Sequence, residues 1–473
     1  MTTYYWHDYE TFNLNAQRAH AAQFAGVRTD EDFNIIAEPL VLYCKPNLDS
    51  LPDPDSCIIT GITPQIAEQK GVTEAEFIKR IHQELSAPNT CALGYNTLRF
   101  DDEVTRSLLY RNFYDPYARE WQNNCSRWDL IDVVRTCYAL RPDGINWVYE
   151  EQKPLLKLDR LSIANNIAHE NAHDALSDVY ATIELAKLIK QKQPKLFNYL
   201  NQNRSKTKVS ELLKLGEFKP VVHISGQYAL QNYLAVVLPI CQHPTNTNGI
   251  IVYDLSINAD LLLNATIEQI QQNIFTKLEE GITRIPLKTI HINRCPVIAP
   301  ISVLTPDTIK RLNLNLTEYQ TNAEKLKHAK GLSEKINAVF NTTIENKTTD
   351  TDLAIYSGGF FDFTDKKTIN TIRTTQPEKL ATSVFKFNDA RLPEMLFRYR
   401  ARNYFNTLNN EEKQRWILFC KQRLTGETEG ASLTFEQYFQ RLNQLKDNTE
   451  MNQLLIQTLK NHGLEKMRVL GIN

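Results

Sequence analysis

Tyr4, Tyr5 and Trp6 open the chain with an aromatic run that leads directly into Asp8 and Glu10. Residues 3–8 read as a short strand of the kind that buries its side chains. On a strand, residues i and i+2 point to one face, so the two carboxylates share a side. Carboxylates held side by side repel, and burial adds the cost of uncompensated charge. A divalent cation between them is the natural partner. A D-x-E triplet arises by chance about once or twice in a chain of this length, so its weight comes from its place at the end of an aromatic strand.

The surrounding pattern predicts an α/β domain over 1–194. Strands are expected at 23–28, 34–43 and 90–95, and helices at 77–85, 102–112 and 174–190, with a mixed strand and helix at 128–140. Early strands followed by strand–helix alternation predict a mixed sheet flanked by helices. Residues 195–345 change character. Segments 221–225, 234–240, 249–255, 289–293 and 297–304 are β-rich, and a helical stretch at 267–281 interrupts them. That pattern predicts a small β-barrel with a helical insertion. Residues 346–473 read as helical, with helices at 393–402, 410–423, 434–447 and 452–461. The joints fall near Gln193-Pro194 and in the polar loop 346–352.

Charge divides along the same lines. The chain carries 54 Lys+Arg against 55 Asp+Glu, a net of -1. That balance excludes a uniformly basic nucleic-acid binder. Residues 1–194 nevertheless hold 19 basic and 28 acidic residues, and the remainder 35 and 27. An acidic first part is therefore joined to a basic second part, which suits metal-binding carboxylates beside a surface that tracks phosphates. None of the eight cysteines forms C-x-x-C or a zinc spacing, so they read as reduced thiols of a cytoplasmic chain. The first residues show no signal peptide, and no apolar run approaches the ~20 residues of a membrane span.

Two further acidic motifs follow. Asp101-Asp102 comes after a buried strand and opens a helix, where an aspartate commonly serves as an N-cap; one of the pair is free to cap while the other faces a site. Asp178 lies inside the long amphipathic helix. His173, five residues earlier, would stand about 140° away on a continuous helix, which places it in the entering loop with freedom to face Asp178. Alone, each motif also fits an ordinary polar helix start.

In order, Asp8-Tyr-Glu-Thr11, Asn96-x3-Phe-Asp101 and His173-x4-Asp178 resemble the DEDD exonuclease superfamily in its histidine subclass. Ile59-Thr-Gly-Ile-Thr-Pro64 is similar to a strand–loop segment with which that superfamily contacts a 3′ nucleotide. Phe100-Asp-Asp-Glu-Val-Thr-Arg106, Arg111-Asn-Phe-Tyr-Asp-Pro-Tyr117, Tyr138-Ala-Leu-Arg-Pro-x-Gly-Ile-Asn-Trp147, Asn171-Ala-His-Asp-Ala175 and Tyr399-Arg-Ala-Arg-Asn403 resemble the bacterial exodeoxyribonuclease I family. The resemblance spans essentially the whole chain.

It implies a ribonuclease-H-like exonuclease domain, an SH3-like barrel and a helical C-terminal domain. It also implies 3′→5′ hydrolysis of single-stranded DNA to 5′-mononucleotides, with a place in DNA repair and recombination. Two Mg²⁺ ions are implied, with Mn²⁺ able to substitute. Asp8 would bridge them, Glu10 and Asp178 would complete the water-bearing site, Asp101 would serve the second ion, and His173 would be the general base. Glu10, Thr11, Phe12, Thr60, Gly61, Ile62, Thr63 and Asn96 would hold the terminal nucleotide, with Phe12 stacking or wedging at its base. The acidic C-terminal tail of a single-stranded-DNA-binding protein is the implied protein partner, with Arg141 and Tyr199 as contributors, and the implied state is a cytoplasmic, nucleoid-associated monomer.

Basic runs at Arg204-Ser-Lys-Thr-Lys208 and Phe397-Arg-Tyr-Arg-Ala-Arg-Asn-Tyr-Phe405 are candidates for a DNA path. In the second, Phe397, Ala401 and Tyr404 also form a helical core stripe with the arginines outside. An RNA-trimming exonuclease of the same superfamily and a non-catalytic DNA-binding scaffold are the competing readings.

Overall fold

A computed structural model describes residues 2–169, 173–277, 281–341, 348–445 and 450–472. The first sheet is built from β1 (Thr3–Thr11), β2 (Ala21–Thr29), β3 (Leu40–Tyr43), β4 (Thr90–Leu93) and β5 (Ser126–Arg127), in the order β3-β2-β1-β4-β5. Strand β1 runs antiparallel to β2 and parallel to β4, so the sheet is mixed. As the central strand, β1 has Tyr4, Tyr5, Trp6 and Tyr9 almost wholly enclosed. Trp6 keeps its indole N–H satisfied by donating to Thr29 Oγ1 at 2.9 Å. Gly26 on β2 sits beneath the Tyr5 ring, where any Cβ would lie 2.3 Å from the phenol oxygen. The strand expected over 34–43 is confined to β3, with an isolated bridge at Ile35.

Helices α1 (Pro54–Thr60), α2 (Pro64–Lys70), α3 (Glu74–Leu85) and α4 (Asp101–Arg111) follow in the same part of the chain. The first two correct the strand–loop expectation for 59–64: that segment is a turn between two helices. Asp53 and Thr63 cap them, and each is followed by proline at the first helical position, where the missing N–H costs nothing. Phe77, Ile78, Ile81 and Leu85 of α3 are fully buried against the sheet, together with Val104, Leu108 and Leu109 of α4. Neither Asp101 nor Asp102 caps α4; the cap position is Phe100 and makes no side-chain cap bond.

The chain packs into two compact units, assembled from interleaved segments. One comprises residues 1–127, 169–183 and 345–473; the other comprises 128–168 and 184–344. In the second unit, α5 (Leu130–Leu140), the short hairpin β6 (Tyr149–Glu150) and β7 (Lys153–Pro154), and α6 (Leu158–Ala164) come first. Helix α7 (Ala175–Lys192) begins in the first unit and ends in the second. Helices α8 (Pro194–Asn203) and α9 (Lys206–Leu213) lead to five strands: β8 (Val221–Ile224), β9 (Leu234–Gln242), β10 (Gly249–Asp254), β11 (Leu287–His291) and β12 (Val297–Pro300). They form one antiparallel sheet in the order β11-β10-β9-β8-β12 around a core that includes Val237, Val252, Ile290 and Ile298. Helices α10 (Asp260–Leu263) and α11 (Ile267–Phe275) interrupt the strands as expected, and α12 (Pro306–Arg311), α13 (Leu316–His328) and α14 (Leu332–Phe340) add helices the sequence reading did not anticipate.

The first unit is completed by α15 (Phe363–Thr374), α16 (Leu392–Asn403), α17 (Asn410–Thr425), α18 (Phe435–Gln444) and α19 (Glu450–Val469). Part of the expected joint, residues 346–347, lies outside the described residues, as do residues 446–447 at the end of the helix expected over 434–447. The remainder of the joint is no simple linker. Asp350 and Asp352 are buried in a network with Asp49, Arg398, Arg402 and Arg423. Phe397 and Ala401 are core residues, as the helical stripe predicts, but the arginines between them do not point outward. Arg398 and Arg400 are buried, and Arg402 pairs with Asp49 at 2.7 Å and Asp352 at 2.5 Å. Acidic partners distant in sequence compensate the buried guanidinium charge. No helix among the described residues is long and apolar enough to cross a membrane.

Candidate active site

Strand β1 carries Asp8 and Glu10 near its C-terminal end, and α7 brings Asp178 to them. Ligand oxygens of these three residues lie within 4.8 Å of one another. Burial and the neighbouring charges of Asp101, Glu10, Asp178 and Asp174 push the Asp8 carboxyl well above its ordinary range. Glu10 is pushed up to about 8 by burial and by Asp178, Asp101 and Asp174. Burial also raises Asp178. Among the described residues, the main charges acting on Asp8 and Glu10 are carboxylates. Converging oxygens with uncompensated negative charge fit a divalent cation by charge and by donor chemistry.

Asp101, 4% exposed, is held at the mouth of α4. Its Oδ1 accepts the backbone N–H of Tyr9, between the two β1 acids, at 3.0 Å. Gly94, at the end of β4, allows the close approach: a Cβ there would lie 2.4 Å from the carbonyl oxygen of His7. Asp102 faces the other way. Arg119 grips it at 2.5 Å and Arg127 at 2.6 Å, and their charge outweighs burial to hold its carboxyl far below the usual range. The two adjacent aspartates therefore have separate work, one at the site and one inside the protein.

His173 lies in the loop that enters α7, exposed and with a left-handed φ of 69°; its backbone N–H bonds Asp178, on which its ring also acts electrostatically. His169 bonds Asp178 through its ring, Nε2 to Oδ1, while its buried Nδ1 has no partner among the described residues. Sequence reading missed His169, although a histidine four residues before His173 was visible in His169-x3-His173. It also missed Asp174, whose charge acts on Asp8 and Glu10 and which accepts from Gln23 Nε2 at 3.2 Å. Asn171 and Ala172 of the expected motif lie outside the described residues.

Around the acids, Thr11 donates to Asn13 O at 2.7 Å and Asn96 is exposed with φ of 65°. Thr60 Oγ1 donates to Ser56 O at 2.9 Å and accepts the Ile62 N–H at 3.2 Å; Gly61 takes φ of 69°; Thr63 caps α2. Phe12, expected to stack or wedge at the terminal base, is 3% exposed and belongs to the hydrophobic cluster that holds Ile62, Cys57, Trp416 and Tyr438. In the second unit, Arg141 reaches the carbonyls of Leu140 at 2.6 Å and Val303 at 3.0 Å, and Tyr199 donates to Ile298 O at 3.1 Å. Arg311 bonds the neighbouring carbonyl of Ala139, which gathers a second arginine beside Arg141.

Three family models match in succession. They are "Exonuclease" over residues 5–186, "Exonuclease I SH3-like domain" over 204–342 and "Exonuclease I C-terminal domain" over 349–466. The chain is 43% identical to exodeoxyribonuclease I of Haemophilus influenzae over 98% of each protein. The chain belongs to the exonuclease I family. Its mixed sheet is the ribonuclease-H-like exonuclease domain of that family, and its antiparallel five-stranded sheet the SH3-like domain. Among solved structures, exonuclease I of Methylocaldum szegediense superposes with a TM-score of 0.95 at 45% identity, covering 99% of this chain and 100% of that one. Exonuclease I of E. coli in complex with a dA16 oligonucleotide gives 0.94 at 41% identity, covering 98% and 100%. A zinc-ion-bound E. coli ExoI–ssDNA complex and an ExoI/SSB-Ct complex also match. DEDD exonucleases require divalent metal, in agreement with the carboxylate cluster.

Proposed function

We propose that this protein is a 3′→5′ exodeoxyribonuclease that removes 5′-mononucleotides from single-stranded DNA, acting in DNA repair and recombination. The observation that carries this reading is the convergence of Asp8, Glu10 and Asp178 beside Asp101 in a chain that belongs to the exonuclease I family. Relatives bound to oligonucleotides support the substrate class.

Asp8, Glu10, Asp178 and Asp101 would hold two Mg²⁺ ions, with Mn²⁺ as substitute. Bound there, such ions would lower the pKa of water and stabilise charge on the phosphate and the leaving 3′-oxygen. The protein's own contribution is placement. The β1 backbone and the Tyr9–Asp101 bond set the carboxylates at a common focus. His169 orients Asp178 through its ring. His173, in the loop that enters α7, is the residue assigned to take the proton from the attacking water, and the exposure of its ring leaves it room to approach. Thr11, the Thr60–Thr63 turn and Asn96 hold the terminal nucleotide. The SH3-like domain and the basic run Arg204–Lys208, in which Lys206 and Lys208 are exposed, guide the strand.

The acidic tail of a single-stranded-DNA-binding protein docks at Arg141 and Tyr199, with Arg311 beside them; the ExoI/SSB-Ct complex of a relative supports this assignment. The enzyme works as a cytoplasmic, nucleoid-associated monomer, with modules 1–194, 195–345 and 346–473. Incubation with 3′- or 5′-labelled single- and double-stranded DNA and RNA, with Mg²⁺ and with EDTA, tests the proposal. Stepwise loss of the 3′ label as mononucleotide from single-stranded DNA, abolished by EDTA, is expected. Preference for RNA, or no digestion, overturns it.

A further inference from the structure

Asp53 makes three connections at once. Its backbone N–H donates to the Phe12 carbonyl oxygen at 2.6 Å, next to the end of β1. One carboxylate oxygen caps α1 by accepting the Asp55 N–H at 3.1 Å, and the other pairs with the guanidinium of Arg441 on α18. Helix α1 is only two turns long and stops at Gly61, so its orientation depends on its first residues. Whatever holds Asp53 therefore sets the position of the turn at 60–63. The packing points the same way. Cys57 and Ile62, on either side of Gly61, share a hydrophobic cluster with Trp416, Tyr438 and Leu442 of the C-terminal helices.

We infer that Arg441 is a positioning residue for the exonuclease site: through Asp53 it fixes the Thr60–Thr63 turn that receives the 3′-terminal nucleotide. The inference rests on the function proposed above. Arg441 differs from Arg402 and Arg423, which are sealed inside the buried charge network. Its side chain is 40% exposed, whereas that of Asp53 is 6% exposed. Replacing it leaves no orphaned cation in the interior, and the Asp53 carboxylate left behind keeps the Asp55 N–H as a partner while its backbone bond to Phe12 stays. The fold therefore survives while the turn loosens.

The test uses the full chain with R441A, R441K and R441E, assayed on a 3′-labelled single strand with Mg²⁺ and, without substrate, by amide hydrogen exchange. In R441A, KM rises by about ten-fold while kcat stays within about two-fold, because misplacing a substrate-holding segment weakens binding more than chemistry. R441E exceeds R441A, and R441K restores most of the loss. Exchange at residues 54–63 accelerates in R441A while that of β1 does not change. An unaltered KM and unaltered exchange in R441E overturn the inference. So does a joint fall of kcat and melting temperature, the mark of a merely structural pair. If the active-site variant Asp8→Ala digests the strand normally, the nuclease reading fails on its own, and the exchange data still decide whether Arg441 governs the turn.

Discussion

The backbone N–H of Tyr9 points at Oδ1 of Asp101 across 3.0 Å, which ties the strand segment between Asp8 and Glu10 to the first residue of α4. Asp102, one residue on, is bound by Arg119 and Arg127. The neighbours predict opposite phenotypes. Asp101→Ala abolishes strand digestion and leaves a folded protein, since its loss removes negative charge from an already repelling site. Asp102→Ala takes the carboxylate from buried Arg119 and leaves Arg127 to Glu120, and costs about 3–5 kcal/mol of stability. Thermal unfolding and a digestion assay on both variants check the split.

Asp8, Glu10 and Asp178 repel one another in the metal-free protein. Removing one charge relieves that repulsion, so Asp8→Asn raises the melting temperature in EDTA while eliminating activity. Mg²⁺ stabilises the wild type by binding the folded form alone, and it stabilises Asp8→Asn far less. Scanning calorimetry with and without the ion reads both effects.

His169 and His173 separate metal holding from proton transfer. His169→Ala frees Asp178 and weakens metal affinity by about 10–100-fold, the usual cost of losing a partner that orients a ligand. His173→Ala leaves metal affinity near the wild-type value and lowers kcat. Metal titrations followed by melting shifts, beside kcat at saturating metal, distinguish them; equal metal affinity in both variants would sink the assignment of His169.

Glu74 supplies a pH prediction away from the site. Burial pushes its carboxyl up, but Arg111, bonded at 2.8 and 2.6 Å, outweighs burial and holds it at about 2, against the ordinary 4.5. A carboxyl depressed in the folded state adds stability that is complete above the unfolded value and is lost as pH falls through the folded one. Stability therefore declines between about pH 4.5 and 2. Glu74→Gln costs about 3–5 kcal/mol at neutral pH, where Arg111 loses its partner, and converges with the wild type at the acid end of that window. Melting curves across pH test this.

Much of the architecture was legible because it follows local periodicity. The aromatic strand, the acids two apart on it, the amphipathic helix carrying Asp178 and the five later strands all leave patterns within ten or twenty residues. Helices α1 and α2 were missed: Asp53-Pro54 and Thr63-Pro64 are start signals, but a two-turn helix has little periodicity to read. What could not be read depends on partners far apart in the chain. Arg398 and Arg402 look solvent-facing until Asp49, Asp350 and Asp352 arrive beside them. Asp101 and Asp102 are equivalent in sequence until Arg119 and Arg127 claim one of them. The choice of His169 over His173 on Asp178 depends on a loop conformation that spacing does not encode.

Phe12, at the end of the strand that bears the acids, shares its hydrophobic cluster with Leu459 and Leu470. A ribosome releases the first of these residues long before the last. That cluster is therefore completed only near the end of synthesis, and a nascent chain stalled short of residue 459 leaves part of it uncovered. Exposed apolar surface of this kind is what chaperones and proteases recognise.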